Sequence, residues 1–290
     1  MVAKTWSTLA VVVTIALLCA APAVAAVQEI SNCDANVDPD VNCSSDNCKL
    51  TADIDCDSDN NEKITLANGK DLDLNGFDIS CTPSVDCTTP IVITHDGSIV
   101  ENKSASRSAI KGDFDIGVDC SGKANTKVLG LEFELTKNSA NGITGCRVVE
   151  GNVVRWTGSG SYGNQAITVV DAANSRVGDN YVAGQWARGI FHEAVSSNAT
   201  TDHNIIVMED DTLVIQVGIW ANGDTGSVTG NLFFGGTLPA NPSDFFLDVN
   251  GANPTPVDGN YCDPAQDACQ DCIGSGHCEP HPAVAPFVFP

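Results

Sequence analysis

The chain has 290 residues, of which 37 are acidic and 14 are basic, and its formal net charge at pH 7 is −23. A surface this negative repels nucleic acid and anionic lipid, so the composition disfavours both as partners. It also disfavours a simple cleft for anionic polysaccharides, which would need cations or a bound metal to hold them.

Residues 1–26 have the features of an export signal. Lys4 supplies a positive charge, residues 9–21 form an apolar stretch, and residues 23–25 (Ala-Val-Ala) form a small-x-small cleavage motif. The apolar stretch is too short to span a membrane comfortably, and no later segment is as long. We therefore predict a secreted protein, with the periplasm as the alternative location, and no membrane insertion.

The number and placement of the cysteines indicate disulfide bonds. The chain has thirteen cysteines, and Cys19 lies within the predicted signal, which leaves twelve. An even number in an exported chain is typical of disulfides. The last four could instead bind zinc, but export favours two disulfides; they are Cys262, Cys269, Cys272 and Cys278.

Residues 27–60 are polar and rich in cysteine, and we predict that they form an N-terminal cap. An acidic run inside this segment has carboxylates at alternate positions, which suits calcium; the run contains Asp53, Asp55, Asp57 and Asp59. It is not an EF-hand, because Asn60 stands where glycine is required and Leu66 where glutamate is required. Two interpretations stay open: a weak calcium site, or a solvated strand edge followed by a loop.

Short strands with one polar side are predicted within residues 61–247. Leu72 and Leu74 alternate with Asp71 and Asp73, and residues 131–135 show the same alternation. Because successive side chains of a strand point to opposite faces, we expect the apolar residues inside and the acids outside. If such acidic pairs stacked in register, their repulsion would favour a bound cation.

Two interleaved repeats run through the second half of the chain. An asparagine followed by two apolar residues recurs at spacings of 28, 24 and 27 residues, beginning at Asn152, Asn180, Asn204 and Asn231. A small residue followed by isoleucine recurs at spacings of 24, 23 and 29, at Gly142-Ile143, Ala166-Ile167, Gly189-Ile190 and Gly218-Ile219. Two signals with one irregular period predict a solenoid with one coil per repeat, in which the asparagines form a buried ladder.

The residue after each asparagine is expected to point outward, which gives an apolar stripe of Val153, Tyr181, Ile205 and Leu232. A stripe of this size is expected to be covered. Residues 248–290 form a tail rich in cysteine and proline that is not expected to continue the coils. We predict that this tail folds back along the final coils or caps them.

The segment from Thr51 to Ile79 and the two repeats resemble exported right-handed parallel β-helix proteins of the pectin-lyase-like group. The resemblance covers roughly residues 50–247. It implies an all-β fold, a right-handed parallel β-helix solenoid with disulfide-bonded ends. It does not imply one function, because lyases, hydrolases, epimerases, adhesins and passive scaffolds share the fold.

Aromatic residues suggest a carbohydrate ligand. Alignment of the small-isoleucine repeat places Phe191 and Trp220 at equivalent outward positions on adjacent coils, and Trp186 is close in sequence. Stacked aromatic side chains of this kind form platforms for sugar rings, although they also occur as plain packing beneath a loop. The sequence therefore predicts that the protein interacts with extracellular or cell-surface polysaccharide, with little or no catalysis.

The sequence leaves open whether the protein is an enzyme. Lyases of this fold use arginine or lysine as a base, and Arg188 with the nearby His192 is the best candidate. Asp210 and Asp211 resemble the paired aspartates of polygalacturonases, but the two accompanying motifs of that family are missing here. A polysaccharide lyase or glycoside hydrolase is thus the first alternative, and a calcium-stabilised structural surface protein is the second.

Overall fold

The computed structural model describes residues 27–33, 42–43, 46–56, 62–81, 87–120, 122–159, 162–169, 174–193, 198–208, 216–221, 226–235, 245–248, 257–264 and 267–281. The predicted export signal lies outside these residues. No helix in the described part of the chain is long and apolar enough to cross a membrane.

The described residues form short strands and one helix. The first ten strands are β1 Val27–Ile30, β2 Asn42–Cys43, β3 Asn47–Leu50, β4 Ile54–Asp55, β5 Ile64–Leu66, β6 Leu72–Asp73, β7 Ile79–Cys81, β8 Ile91–Ile93, β9 Ile99–Glu101 and β10 Ala109–Gly112. The next ten are β11 Ile116–Asp119, β12 Lys127–Leu129, β13 Glu132–Leu135, β14 Asn141–Thr144, β15 Val148–Glu150, β16 Val153–Trp156, β17 Gly163–Val169, β18 Arg176–Gly178, β19 Tyr181–Gly184 and β20 Trp186–His192. The last elements are β21 Thr200–Asp202, β22 Ile205–Met208, β23 Val217–Ala221, β24 Ser227–Thr229, β25 Leu232–Gly235, β26 Phe245–Asp248, β27 Val257–Asp258, β28 Tyr261–Cys262, α1 Asp267–Gly274 and β29 Glu279–Pro280.

The strands build three parallel sheets, and each coil of the chain visits them in turn. Sheet 1 has nine strands, β2, β5, β8, β11, β14, β17, β20, β23 and β26. Sheet 2 has ten, β1, β3, β6, β9, β12, β15, β18, β21, β24 and β27. Sheet 3 also has ten, β4, β7, β10, β13, β16, β19, β22, β25, β28 and β29. The predicted all-β parallel solenoid is therefore confirmed.

The small-isoleucine repeat forms part of the core of sheet 1. Ile143, Ile167, Ile190 and Ile219 pair in register, and all four are fully buried. The residue before each isoleucine must be small because the next strand passes close to it. A Cβ on Gly142, for example, would lie 2.3 Å from the carbonyl oxygen of Ala166.

The asparagines form the predicted buried ladder between sheets 2 and 3. From Asn180 onward, each side-chain oxygen accepts from the backbone N–H and the side-chain amide of the preceding asparagine, at 2.9 to 3.1 Å. The side-chain oxygen of Asn152 accepts from the backbone N–H of Leu131 at 3.0 Å. Each amide also donates to a backbone carbonyl, which satisfies a turn that water does not reach. Among the described residues the ladder has five members, because Asn260 continues Asn152, Asn180, Asn204 and Asn231.

The residues around the ladder have the predicted orientation. Val154, Val182, Ile206 and Phe233 point inward and are almost fully buried. Their neighbours Val153, Tyr181, Ile205 and Leu232 lie in register on the outer face of sheet 3 and are half-buried. The acidic pairs do not stack: Asp73 belongs to sheet 2, whereas Glu132 lies on sheet 3 and binds Arg155 at 2.7 Å.

Sheet pairing crosses both predicted domain boundaries. Strands β1 to β4 already pair with the coils that follow them. At the other end, the expectation that the tail cannot continue the coils is wrong, because β27, β28 and β29 extend sheets 2 and 3. Pro264 does not interfere, since it follows β28. Helix α1 packs against β26 and β29, and buries Cys269 and Cys272 in the core, so this part of the tail caps the last coil.

Six disulfides use all twelve cysteines that follow the predicted signal. The four tail cysteines form two of them, Cys262–Cys269 and Cys272–Cys278, as predicted in preference to zinc. The other four disulfides are Cys33–Cys56, Cys43–Cys48, Cys81–Cys87 and Cys120–Cys146.

Candidate ligand-binding face on sheet 1

Two columns of outward side chains run along sheet 1. Strands β14, β17, β20 and β23 carry two consecutive inward residues, the small-isoleucine pair. The residues on either side occupy outward positions, where Thr168 and Val217 are buried and the others are partly exposed. One column contains Ile116, Asn141, Gln165, Arg188 and Val217. The other contains Asp119, Thr144, Thr168, Phe191 and Trp220.

Arg188, Phe191 and Trp220 form a compact cluster on this face, which we call the aromatic cluster. The ring centroids of Phe191 and Trp220 are 5.4 Å apart, with an angle of 59° between the planes. The guanidinium carbon of Arg188 lies 4.9 Å from the centroid of Phe191 and 4.3 Å from that of Trp220. All three side chains are half-buried, so part of each remains open to a ligand. Cation–π attraction holds the cluster together.

Arg188 has no acidic partner within the described residues. Arg155 and Arg176, in contrast, pair with Glu132 and Asp202 at 2.7 and 3.0 Å. Burial lowers the pKa of the Arg188 guanidinium, because the aromatic rings remove water without supplying a counter-charge. Its N–H groups are therefore free to donate to a ligand. The indole N–H of Trp220 is also buried, and no described residue accepts from it.

Trp186 does not belong to this face, although the sequence predicts it as a ligand contact. Its side chain is only 2% exposed, and its indole N–H donates to the carbonyl oxygen of Ala183 at 2.9 Å. The ring packs closely over Gly163, where a Cβ would lie 2.5 Å from it. The prediction is wrong because β20 begins at a corner of the coil, where the side chain turns into the core.

His192 is also inside the core, which removes it from the predicted catalytic set. It follows Phe191 directly in the strand, so its side chain points to the opposite face and is fully buried. Its Nε2 lies 2.6 Å from the hydroxyl of Thr201, and Nδ1 has no described partner. Burial lowers the pKa of His192 to about 4, so the imidazole is neutral near pH 7 and does not meet a ligand on the surface.

The remaining predicted site residues lie elsewhere. Asp210 and Asp211 are outside the described residues, as are Asp57 and Asp59. Asp53 accepts from the backbone N–H of Asp78 at 2.9 Å, and Asp55 accepts from the Ser80 hydroxyl at 3.2 Å. In the described part of the chain no three acidic, histidine or cysteine residues could hold a metal ion. The calcium site stays a prediction, which melting temperatures measured with calcium and with EDTA would test.

Sequence reasoning missed the polar part of the face. Asn141, Gln165 and Thr168 extend the columns below Arg188 and Phe191, and the hydroxyl of Thr168 donates to the amide oxygen of Gln165. The signal was present, because counting outward from the small-isoleucine repeat gives these positions. The face is therefore aromatic and cationic at β20 and β23 and polar at β14 and β17.

Comparison of the chain with known protein families, with characterised proteins and with solved structures found no match. The fold defines the chain as a parallel β-solenoid protein, and its likeness to the pectin-lyase-like group remains a resemblance of sequence patterns.

Proposed function

We propose that this protein acts outside the cell by binding polysaccharide through the outer face of sheet 1, with little or no catalysis. The observation that carries the proposal is the aromatic cluster, in which two half-buried rings lie side by side in register under an arginine.

The chemistry of the cluster suits a sugar. Aromatic faces pack against the apolar C–H faces of sugar rings, while nearby donors bind the hydroxyl oxygens. The guanidinium group of Arg188 supplies such donors beside the rings. Arg188 is one cation on a chain of net charge −23, so the surroundings favour a neutral glycan over a polyanion.

The face also has the regularity that a polymer requires. Adjacent strands of a sheet are about 4.8 Å apart, so equivalent side chains recur at that interval along the solenoid axis. A linear polysaccharide lying across β14, β17, β20 and β23 meets Asn141 and Gln165 first, and then Arg188, Phe191 and Trp220.

A screen against immobilised neutral polysaccharides tests this proposal. Trp220→Ala and Phe191→Ala are expected to weaken binding of the best glycan about tenfold or more, which corresponds to about 1.4 kcal/mol. Phe234→Ala serves as the matched control, because Phe234 is a half-buried aromatic on the outer face of sheet 3. Equal binding by the wild type and both sheet 1 variants, or no binding to any glycan, would contradict the proposal.

A lyase that uses Arg188 as its base is the second candidate, and the lowered pKa of Arg188 favours it. Of the predicted catalytic residues, Arg188 is the one that the described structure places on the sheet 1 face. The protein is incubated with uronate polymers and calcium, and absorbance reports new unsaturated ends. Turnover that Arg188→Lys reduces strongly would establish the lyase, whereas absence of turnover leaves binding as the function.

A further inference from the structure

A second candidate site, which is concave, lies at the corner where the chain passes from sheet 3 to sheet 1. Turns of three successive coils, which precede β11, β14 and β17, line an open cleft of about 590 Å³. This volume is within the range of small-molecule sites. The aromatic cluster does not contribute to its walls.

We propose that this cleft, which we call the corner cleft, binds one neutral sugar unit. The proposal does not depend on the function proposed for the aromatic cluster, because the two sites share no residues. The walls of the corner cleft include hydroxyl, amide and carboxylate groups, supplied by Thr136, Thr157, Ser159, Asn138 and Asp113. Such a set can donate to and accept from several hydroxyl groups at once, whereas an apolar ligand would leave these groups unpaired.

The charges around the cleft exclude an anion. Lys137 also lines it, but its ammonium group is 2.9 Å from the carboxylate of Asp115, which neutralises it. Within the described residues, no cation pairs with Asp113. The cleft is therefore negative, and a carboxylate without a counter-ion is an acceptor for two neighbouring hydroxyl groups of one sugar.

The cleft is formed before any ligand arrives. The indole N–H of Trp156 donates to the carbonyl oxygen of Lys137 at 3.0 Å, and this bond ties the 136–138 turn to the core. Gly158 lies so close to the Trp156 ring that a Cβ would be 2.6 Å from it and 2.3 Å from the carbonyl oxygen of Thr136. Ser139 donates through its backbone N–H to the carbonyl oxygen of Tyr162 at 2.8 Å. A rigid site of this kind loses little entropy when it binds.

Titration of ¹⁵N-labelled protein with the methyl glycosides of glucose, galactose, mannose and xylose tests the proposal. We expect at least one of them to shift the amide signals of residues 136–138 and 157–159 saturably. Asp113→Ala and Asn138→Ala are each expected to weaken that binding about tenfold. Trp220→Ala should leave it unchanged, which separates this site from the aromatic cluster.

Three results would overturn the assignment. The first is the absence of saturable shifts in both turns with all four glycosides. The second is equal affinity in the wild type, Asp113→Ala and Asn138→Ala, with amide spectra showing that the variants are folded. The third is binding of glucuronate at this cleft as tight as that of methyl glucoside, because a negative cleft should reject the carboxylate.

Discussion

Asn180 lies directly below Asn204 in the next coil, and its side-chain amide donates to the side-chain oxygen of Asn204 at 2.9 Å. The same oxygen accepts from the backbone N–H of Asn180 at 3.1 Å. One buried side chain thus satisfies two groups of the neighbouring turn, and repetition of this arrangement holds the turns between sheets 2 and 3 in register.

Removal of one ladder member should destabilise the whole solenoid. Asn204→Ala leaves the Asn180 N–H without a partner inside the core and removes one bond each from the Asn180 amide and the carbonyl oxygen of Val177. We expect a loss of about 3 kcal/mol in the free energy of unfolding. Denaturant unfolding measures it. Asn164→Ala is the control, because the Asn164 amide makes one half-buried bond, to Asn141. This substitution should lower the free energy of unfolding by less than about 0.5 kcal/mol. Equal effects of the two substitutions would contradict the role of the ladder.

The residue before each ladder asparagine adopts a left-handed backbone conformation. Gly151 has φ of +67°, and Asp179 and His203 have φ of +58° at the equivalent positions. A Cβ on Gly151 would meet no atom within 4 Å, so substitution there tests backbone strain alone. Gly151→Ala should destabilise the protein by about 1 kcal/mol, and Gly151→Asn by less, because asparagine tolerates this conformation. Equal unfolding free energies for glycine and alanine at this position would show that the turn is not left-handed.

The burial of His192 should make stability fall in mild acid. Its pKa is about 4 in the folded protein and about 6.5 when unfolded, so protons bind the unfolded chain first. The contribution of His192 to the free energy of unfolding is complete above about pH 6.5 and is lost as the pH falls toward about 4. The loss is about 1.4 kcal/mol per pH unit and about 3 kcal/mol in all. His192→Gln, which does not titrate, should show a shallower loss between pH 6.5 and 5, above the range of ordinary carboxylates. Parallel curves for the two proteins would contradict this assignment.

Arg176 organises the carboxylates on the outer face of sheet 2. It binds Asp202 at 3.0 Å and also pairs with Glu150. Both bonds raise the pKa of Arg176, and the bond to Asp202 has the larger effect. The side chain is 38% exposed, so solvent screens the interaction. Arg176→Ala should therefore cost about 1 kcal/mol at low salt and less at high salt. A loss independent of salt concentration would indicate that packing rather than charge is responsible.

The repeated features could be read from the sequence because each has a physical cause that recurs in every coil. A buried side-chain amide must form hydrogen bonds, so the recurrence of Asn152, Asn180, Asn204 and Asn231 predicts the same turn in each coil. The fifth member, Asn260, was missed because the cysteines and prolines around it suggested an end to the coils. The disulfides of the tail instead hold an additional turn and a capping helix.

The site was predictable only in part. Phe191 and Trp220 follow from the small-isoleucine repeat, because a parallel solenoid places equivalent residues side by side. The positions of Trp186 and His192 could not be inferred from their closeness to Phe191 in sequence. Trp186 lies at a corner, and His192 is the next residue of the strand, so both side chains point into the core. The corner cleft could not be predicted, because irregular turns such as residues 136–138 carry no periodic signal.

The affinity of the bound glycan as a function of its chain length tests the central claim most directly. The outward columns of β14, β17, β20 and β23 span three strand spacings, about 14 Å along the solenoid axis. If a linear polysaccharide lies along this face, calorimetric titration of a defined oligosaccharide series will show affinity rising with each unit up to about four units and then levelling. An affinity that is the same for the single sugar and the longest oligomer would contradict the account.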